Sequence, residues 1–201
     1  MYGIRRMMVW ASRCRHCRGF GVQSPWAYGF IRYVVNEHYP YYAYKRMREE
    51  FSCLQPMERK LCELYFRMAN FLQPQCVVDM GTPTAAFRGY VNAGCKGARI
   101  VGIGVAGGSS AQVEMVSGLP LVDFARVLPV DGGPECYDSL AAKVGGHSMV
   151  VVEGIHSSPL GRKLWAEILN DGRTSVTFDL YYCGIVTYDK KRYRQNYIVN
   201  F

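Results

Sequence analysis

The sequence lacks any long uninterrupted apolar stretch, and this absence excludes several classes of protein. Its 201 residues are 49% hydrophobic, yet no segment approaches the roughly 20 consecutive apolar residues of a membrane-spanning helix. Residues 1–10 contain Arg5 and Arg6 and lack the apolar core and small-residue cleavage site of a signal peptide. Internal repeats and low-complexity tracts are also missing. We therefore predict a soluble, cytoplasmic protein with one compact domain and a substantial core.

Acidic residues are scarce. Sixteen Asp and Glu face 24 Lys and Arg, which gives a formal charge of +8, and residues 1–50 account for +6 of it with eight Arg and one Lys against three Glu. Within this segment, residues 1–20 are predicted to be an arm with a helix over residues 2–13. Such a basic segment can contact RNA, an acidic protein or anionic lipid, although solvated arginines are the commoner explanation. We expect a small-molecule substrate, with nucleic acid as the minor alternative. The oligomeric state is not indicated.

Paired metal ligands are scarce as well. Eight cysteines are present, but most are scattered singly through helix-like and strand-like segments, which indicates reduced, buried thiols. The one C-x-x-C motif, Cys14-Arg15-His16-Cys17, has no second ligand pair and no thioredoxin-like context. We therefore assign it neither a zinc site nor a redox role.

One stretch does combine a buried strand, a tight turn and a helix start. The β-branched run Cys76-Val77-Val78 is followed by Asp79, Gly81 and the small residues Thr82 to Ala86, and an apolar helix follows around Phe87 and Val91. This order predicts a central parallel strand whose turn exposes backbone N–H groups at the carboxyl edge of a sheet. Ligands of α/β proteins bind at this edge.

The rest of the chain predicts elements that flank this turn. Ser24-Pro25 is a typical helix start. Further helices are expected at 44–51, 56–71, 109–116, 134–144 and 159–170, and strands at 98–103, 121–130 and 148–153. The alternating tail predicts strands over 176–180, 184–188 and 196–201, with a hairpin turning near residues 189–191.

This order of motifs resembles the class I S-adenosylmethionine-dependent methyltransferases, and within them a bacterial group that is O-methyltransferase-like. The resemblance covers residues 14–201, and its motifs are short. They are Gly19-Phe20-Gly21-Val22-Gln23-Ser24-Pro25-Trp26, Pro40-Tyr41-Tyr42-Ala43-Tyr44, Val150-Val151-Val152-Glu153-Gly154-Ile155-His156-Ser157 and the hairpin over 176–186.

The resemblance implies an α/β, Rossmann-like methyltransferase fold. Its features would be a mostly parallel sheet with a C-terminal antiparallel hairpin, a helical N-terminal cap and one βα unit missing or reduced between Gly104 and Met149. It divides the chain into an arm and cap, 1–55, and an α/β domain, 56–201. The implied activity is methyl transfer from S-adenosylmethionine to an oxygen of a small molecule.

The resemblance also implies cofactor-binding residues. Asp79, Gly81, Thr82 and Thr84 fall in the loop that contacts the methionine part of the cofactor, and Gly104 falls where an acidic residue accepts hydrogen bonds from the ribose. Ala85 stands where a further glycine is usual. Loss of the charged ribose contact would cost roughly 1.5–3 kcal/mol, or about one to two factors of ten in affinity.

The sequence is also compatible with other roles for the residues at the carboxyl edge of the sheet. In cation-dependent members of the family, acidic residues at positions such as Asp131 and Glu153 hold a divalent metal. His156 and Glu153 are candidates for a catalytic role.

Alternatively, the domain keeps the fold without catalysis, as a binding or scaffold module. A third hypothesis is a dinucleotide-binding oxidoreductase, because residues 102–107 match G-x-G-x-x-G and Asp123 follows 19 residues after Gly104.

Overall fold

The computed structural model describes residues 2–16, 21–104, 108–129 and 133–201. Helix α1 (Tyr2–Ser12) and a 3₁₀ turn (Cys14–His16) are followed by α2 (Pro25–Phe30), which continues as a π-helix (Ile31–Val35), then by α3 (Tyr42–Glu50) and α4 (Pro56–Leu72). The Ser24 side chain accepts a hydrogen bond from Ala27 N at 3.3 Å, so the predicted start of α2 is confirmed. Within the described ranges, no helix has the length and apolar character needed to cross a membrane.

The remaining elements alternate between strand and helix. They are β1 (Cys76–Gly81), α5 (Ala85–Gly94), β2 (Arg99–Gly104), α6 (Gly108–Ser117), β3 (Val122–Val127), α7 (Gly133–Ala141), β4 (Val144–Glu153), α8 (Pro159–Asn170), β5 (Val176–Asp179), β6 (Cys183–Thr187) and β7 (Gln195–Ile198). The sheet order is β2-β1-β3-β4-β6-β5-β7. Strands β1 to β4 pair in parallel, and β6 is antiparallel to β4 and β5. This is the predicted Rossmann-like α/β fold.

The expected reduction by one βα unit is confirmed. Between β2 and β4, the described residues contain two helices and the single strand β3, and β2 lies at the edge of the sheet beside β1. The turn after β1 therefore has one strand on each side of it. Its neighbours are β2 and β3.

The C-terminal tail differs from the prediction in one respect. The expected antiparallel hairpin is present, with β5 and β6 joined through Tyr181, a non-glycine residue at φ 71°. The prediction of a second hairpin, turning near residues 189–191, was wrong, because β7 pairs in parallel with β5. Both edges of β6 are already occupied by β4 and β5, so β5 offers the edge that β7 can join.

Side chains on the two faces of the sheet belong to separate apolar clusters. Val77, Phe124 and Val151 pack beneath the cap helices and α5, whereas Val78, Ala125 and Val150 pack beneath α6 to α8. This alternation follows from the two-residue period of a strand. The cap-side cluster includes buried residues of α2 to α4 as well as sheet residues, so the cap shares a core with the sheet.

Candidate functional site

The turn after β1 has the backbone that the sequence predicted. Gly81 adopts φ 104°, and a Cβ built on it would lie 2.7 Å from Leu128 O. Leu128 N also donates to Met80 O at 2.9 Å, which holds the segment after β3 against this turn. Both the positive φ and the close approach therefore require glycine at this position.

The start of α5 faces solvent at the carboxyl edge of the sheet. Thr84 Oγ1 accepts from Phe87 N at 3.1 Å, and Thr84 N donates to Asp79 Oδ2 at 2.9 Å. Residues 82–85 are exposed. Asp79 thus supports the turn from within the fold, while the N-terminal end of α5 is open to an anionic group.

A buried ionic network lies beneath this turn. Arg126, the penultimate residue of β3, donates from Nη1 to Asp79 Oδ1 and from Nε to Glu153 Oε1, both at 2.6 Å. Its Nη1 also donates to Thr82 O at 3.1 Å, and the Tyr65 hydroxyl of α4 donates to Glu153 Oε1. Asp79 is 2% exposed and Arg126 6% exposed. The network joins β1, β3, β4 and α4 at the carboxyl edge.

Burial and charge act in opposite directions within this network. Burial raises the pKa of Asp79, and the Arg126 guanidinium offsets this only in part. Burial opposes the charge on Arg126, but Glu153, Tyr65 and Asp79 together outweigh it, so the pKa of Arg126 is raised and it remains a cation. Burial and then Glu153 raise the pKa of Tyr65 well above its usual value, so its hydroxyl keeps the proton that it donates.

The end of β2 carries no side chain toward the site. Among the described residues, none has an atom within 4 Å of the place where a Cβ of Gly104 would stand, and the Gly104 carbonyl accepts from Gln112 Nε2 at 2.8 Å. The position next to the β1 turn therefore has room for an acidic side chain that this sequence does not supply. The loop that follows, 105–107, lies outside the described residues.

The role of Asp123 in the dinucleotide hypothesis is contradicted. Asp123 Oδ2 accepts from Gln75 N at 2.8 Å and from Cys76 N at 3.0 Å. These atoms lie where β1 and β3 begin, at the edge of the sheet opposite the Gly81 turn. Asp123 therefore satisfies backbone donors at the start of β1 and does not reach a ligand at the carboxyl edge.

His156 lies in the turn after β4 and forms a pair with Asp179 at the end of β5. Its Nε2 is 2.8 Å from Asp179 Oδ2, and its ring stacks on Tyr181 with centroids 5.2 Å apart. Burial alone would raise the pKa of Asp179, but hydrogen bonds from Arg13 and His156 outweigh it and lower that pKa. An ionised carboxylate only accepts hydrogen bonds, so Nε2 carries the hydrogen and Nδ1 is the basic nitrogen.

The N-terminal segment reaches this pair. Arg13 Nη1 lies 2.9 Å from Asp179 Oδ1 and donates to Asp179 O at 3.0 Å. Asn200 N donates to His16 O at 3.0 Å, so the 3₁₀ turn over Cys14–His16 contacts the residues that follow β7. No local sequence pattern predicts the contact between Arg13 and Asp179, because 166 residues separate them.

The metal candidates divide between the described and undescribed parts of the chain. Asp131 lies outside the described residues. The Glu153 carboxylate is engaged by Arg126 and Tyr65. Across the described part, no three His, Cys, Asp or Glu side chains form a group that can hold a metal ion.

Arg126 is the site residue that sequence reasoning missed. In the sequence it is one residue of the strand predicted over 121–130. An arginine inside a central strand does carry information, since a buried guanidinium requires counter-charges. The acidic residues predicted at the carboxyl ends of strands were Asp79, Asp131 and Glu153, and the structure pairs Arg126 with Asp79 and Glu153.

A groove of about 880 Å³ lies away from this edge, on the cap. Tyr41 and Tyr44 form its packed side against Phe66, with ring centroids 5.0 and 5.2 Å away, whereas Tyr42 is 92% exposed. Packing thus explains part of the tyrosine cluster. The groove is lined by Glu37, His38, Tyr39, Pro40, Tyr41, Tyr42, Tyr44, Lys45, Arg48, Glu49, Ser52, Glu63 and Arg67.

Comparison with known proteins places the fold. No protein-family model and no curated protein matches the chain. A methyltransferase from Podospora anserina bound to S-adenosylhomocysteine is 12% identical, with 77% of this chain and 91% of that chain covered and a TM-score of 0.54. An O-methyltransferase from Bacillus cereus, also with S-adenosylhomocysteine, is 10% identical, with 78% and 96% covered and a TM-score of 0.54.

The methyltransferase MycE of the mycinamycin biosynthetic pathway, in complex with Mg and S-adenosylhomocysteine, is also similar. It is 9% identical, with 74% of this chain and 50% of that chain covered and a TM-score of 0.53. The chain therefore has the fold of S-adenosylmethionine-dependent O-methyltransferases. At these identities, the likeness concerns the fold.

Proposed function

We propose that the chain binds S-adenosylmethionine at the turn after β1 and transfers its methyl group to an oxygen of a small molecule. The observation that supports this most is the open start of α5 above Gly81, at the carboxyl edge of the parallel strands. A backbone without side chains at Gly81, together with the exposed N-terminal end of a helix, suits the anionic carboxylate of the cofactor's methionine part.

The residues present fit the methionine end of the cofactor better than its ribose end. Backbone N–H groups of Gly81 and Thr82 would hold the carboxylate, whereas the N–H of Thr84 donates to Asp79, which supports the turn. With both carboxylates ionised, Asp79, Arg126 and Glu153 carry a net charge of −1, which favours a cationic sulfonium nearby. Gly104 offers the ribose no acidic partner, so the proposal includes weak binding.

When bound, S-adenosylmethionine supplies a methyl group on a positively charged sulfur, and the protein contributes mainly proximity and orientation. An acceptor hydroxyl must lose its proton as the new O–C bond forms. We assign that proton to His156 Nδ1, since Asp179 fixes the imidazole through Nε2. No described residue hydrogen bonds to Nδ1, so this nitrogen is available to an acceptor.

The activity is tested by incubating the full chain with S-adenosylmethionine labelled in the methyl group and a panel of small phenols and alcohols. We expect labelled product and S-adenosylhomocysteine in equal amounts. His156→Gln should lower the rate about 10²- to 10⁴-fold, the usual contribution of a general base, with unchanged cofactor affinity. His147→Gln, at an exposed histidine, is the matched control and should retain the rate.

A second candidate is a binding or scaffold module without catalysis. It is favoured by Gly104, which leaves the ribose position without a carboxylate, and by Arg126, which already neutralises much of the charge beneath the turn. The two candidates differ in catalysis. If S-adenosylmethionine binds and no acceptor in the panel is methylated, the binding module is supported.

A further inference from the structure

We propose that the Arg126 guanidinium takes the place that a divalent metal ion would occupy between Asp79 and Glu153, so that these two carboxylates hold a cation supplied by the chain itself. This inference does not depend on methyl transfer, because it concerns the binding of a cation by two carboxylates.

The position of Arg126 between two acidic strand ends supports the replacement. β3 lies between β1 and β4, and Arg126 is in register with Asp79 on one side and with Val151 on the other. Side chains at positions 79, 126 and 153 therefore point to the same face of the sheet. From there the guanidinium reaches both carboxylates at 2.6 Å.

Three of the four carboxylate oxygens of Asp79 and Glu153 accept hydrogen bonds from the chain itself. Asp79 Oδ1 and Glu153 Oε1 each accept from Arg126, and Glu153 Oε1 accepts from Tyr65 as well. Asp79 Oδ2 accepts from Thr84 N. Magnesium demands near-ideal octahedral coordination by oxygen atoms at about 2.0–2.1 Å, which these hydrogen bonds prevent.

The Arg126 side chain carries a permanent positive charge, and this charge repels a metal cation. A guanidinium does not lose its proton in proteins. Arg126 Nη1 also donates a hydrogen bond to Thr82 O, and the guanidinium carbon lies 5.7 Å from the centroid of the Phe87 ring. A divalent ion would have to approach this fixed positive charge within a few ångströms, where like charges repel strongly.

Titration with Mn²⁺, followed by the electron paramagnetic resonance signal of the free ion, tests the proposal on the full chain. We expect the native chain to show no saturable site below about 1 mM, whereas Arg126→Met gains one site with at least tenfold tighter binding. In the Arg126→Met and Glu153→Gln double variant this gain should disappear. Arg88→Met, at an exposed arginine of α5, should behave as the native chain does.

Two results would overturn the proposal. One is saturable Mn²⁺ binding by the native chain that Glu153→Gln abolishes; the other is a folded Arg126→Met variant that binds no more Mn²⁺ than Arg88→Met. Should Arg126→Met fail to fold, Arg126→Lys keeps the positive charge but lacks the planar fork that spans both acids. It should bind no Mn²⁺, and saturable binding by it or by the native chain decides against the proposal. None of these outcomes requires S-adenosylmethionine to bind.

Discussion

At the scale of single residues, most of the site is predictable from the local sequence, and the position of Arg126 is not. Asp79, Gly81 and Thr84 stand where the strand–turn–helix pattern placed them, because that pattern is local. Arg126 acquires its meaning only when β3 inserts between β1 and β4. A local pattern cannot show which acidic residues a buried arginine will reach 47 and 27 residues away.

Gly104 gives a gain-of-function prediction. We expect Gly104→Asp to tighten the binding of S-adenosylhomocysteine by about 10- to 100-fold, since a charged hydrogen bond to the ribose contributes about 1.5–3 kcal/mol. A Cβ at this position meets no atom of the described residues within 4 Å. Isothermal titration calorimetry measures the change. Gly97→Asp, which also has free space but precedes β2 at the opposite edge, should leave the affinity unchanged.

Asp179 gives a prediction about pH. Its pKa is lowered in the folded protein, so its ionised form stabilises the fold above its ordinary pKa, and this contribution is lost as the pH falls below about 4. Asp179→Asn should reduce the free energy of unfolding at pH 7 by about 1–3 kcal/mol. In urea unfolding, the difference from the native chain should shrink toward pH 3.

The control for this experiment is Glu114→Gln, an exposed carboxylate on α6. Its free energy of unfolding should follow that of the native chain at both pH values. If the difference caused by Asp179→Asn is the same at pH 7 and pH 3, the contacts of Asp179 with Arg13 and His156 do not depend on its charge.

At the scale of helices and strands, most of the architecture could be predicted. The helix over 159–170 has the predicted bounds, and β1 begins at Cys76 as expected, because capping residues and apolar runs are written into the local sequence. The tail could not be predicted fully. Alternation identifies β7 as a strand, but its partner depends on which edge of the sheet remains free.

The link between β1 and β3 gives a prediction at this scale. Gly81→Ala should lower the free energy of unfolding by about 1–3 kcal/mol, since it forces a side chain into a positive-φ conformation and brings Cβ within 2.7 Å of Leu128 O. Urea unfolding measures the loss. Gly104→Ala, where a Cβ has free space, is the matched control, and an equal loss in both variants would refute the explanation.

At the scale of the whole molecule, the order of short motifs predicted the fold better than it predicted the ligand. The cap, the parallel strands and the closing hairpin together specify a methyltransferase fold, which the solved structures share. The ligand depends on a few contacts at one edge. There, Gly104 and Arg126 depart from the expected pattern, and a fold supports such departures without losing its core.

The most direct test of the account is a calorimetric titration of the full native chain with S-adenosylhomocysteine. We predict saturable binding at one site, weaker than about 10 μM because one charged contact of roughly 1.5–3 kcal/mol is missing at Gly104. Absence of any heat of binding at millimolar ligand, in both the native chain and Gly104→Asp, would contradict cofactor binding at the turn after β1.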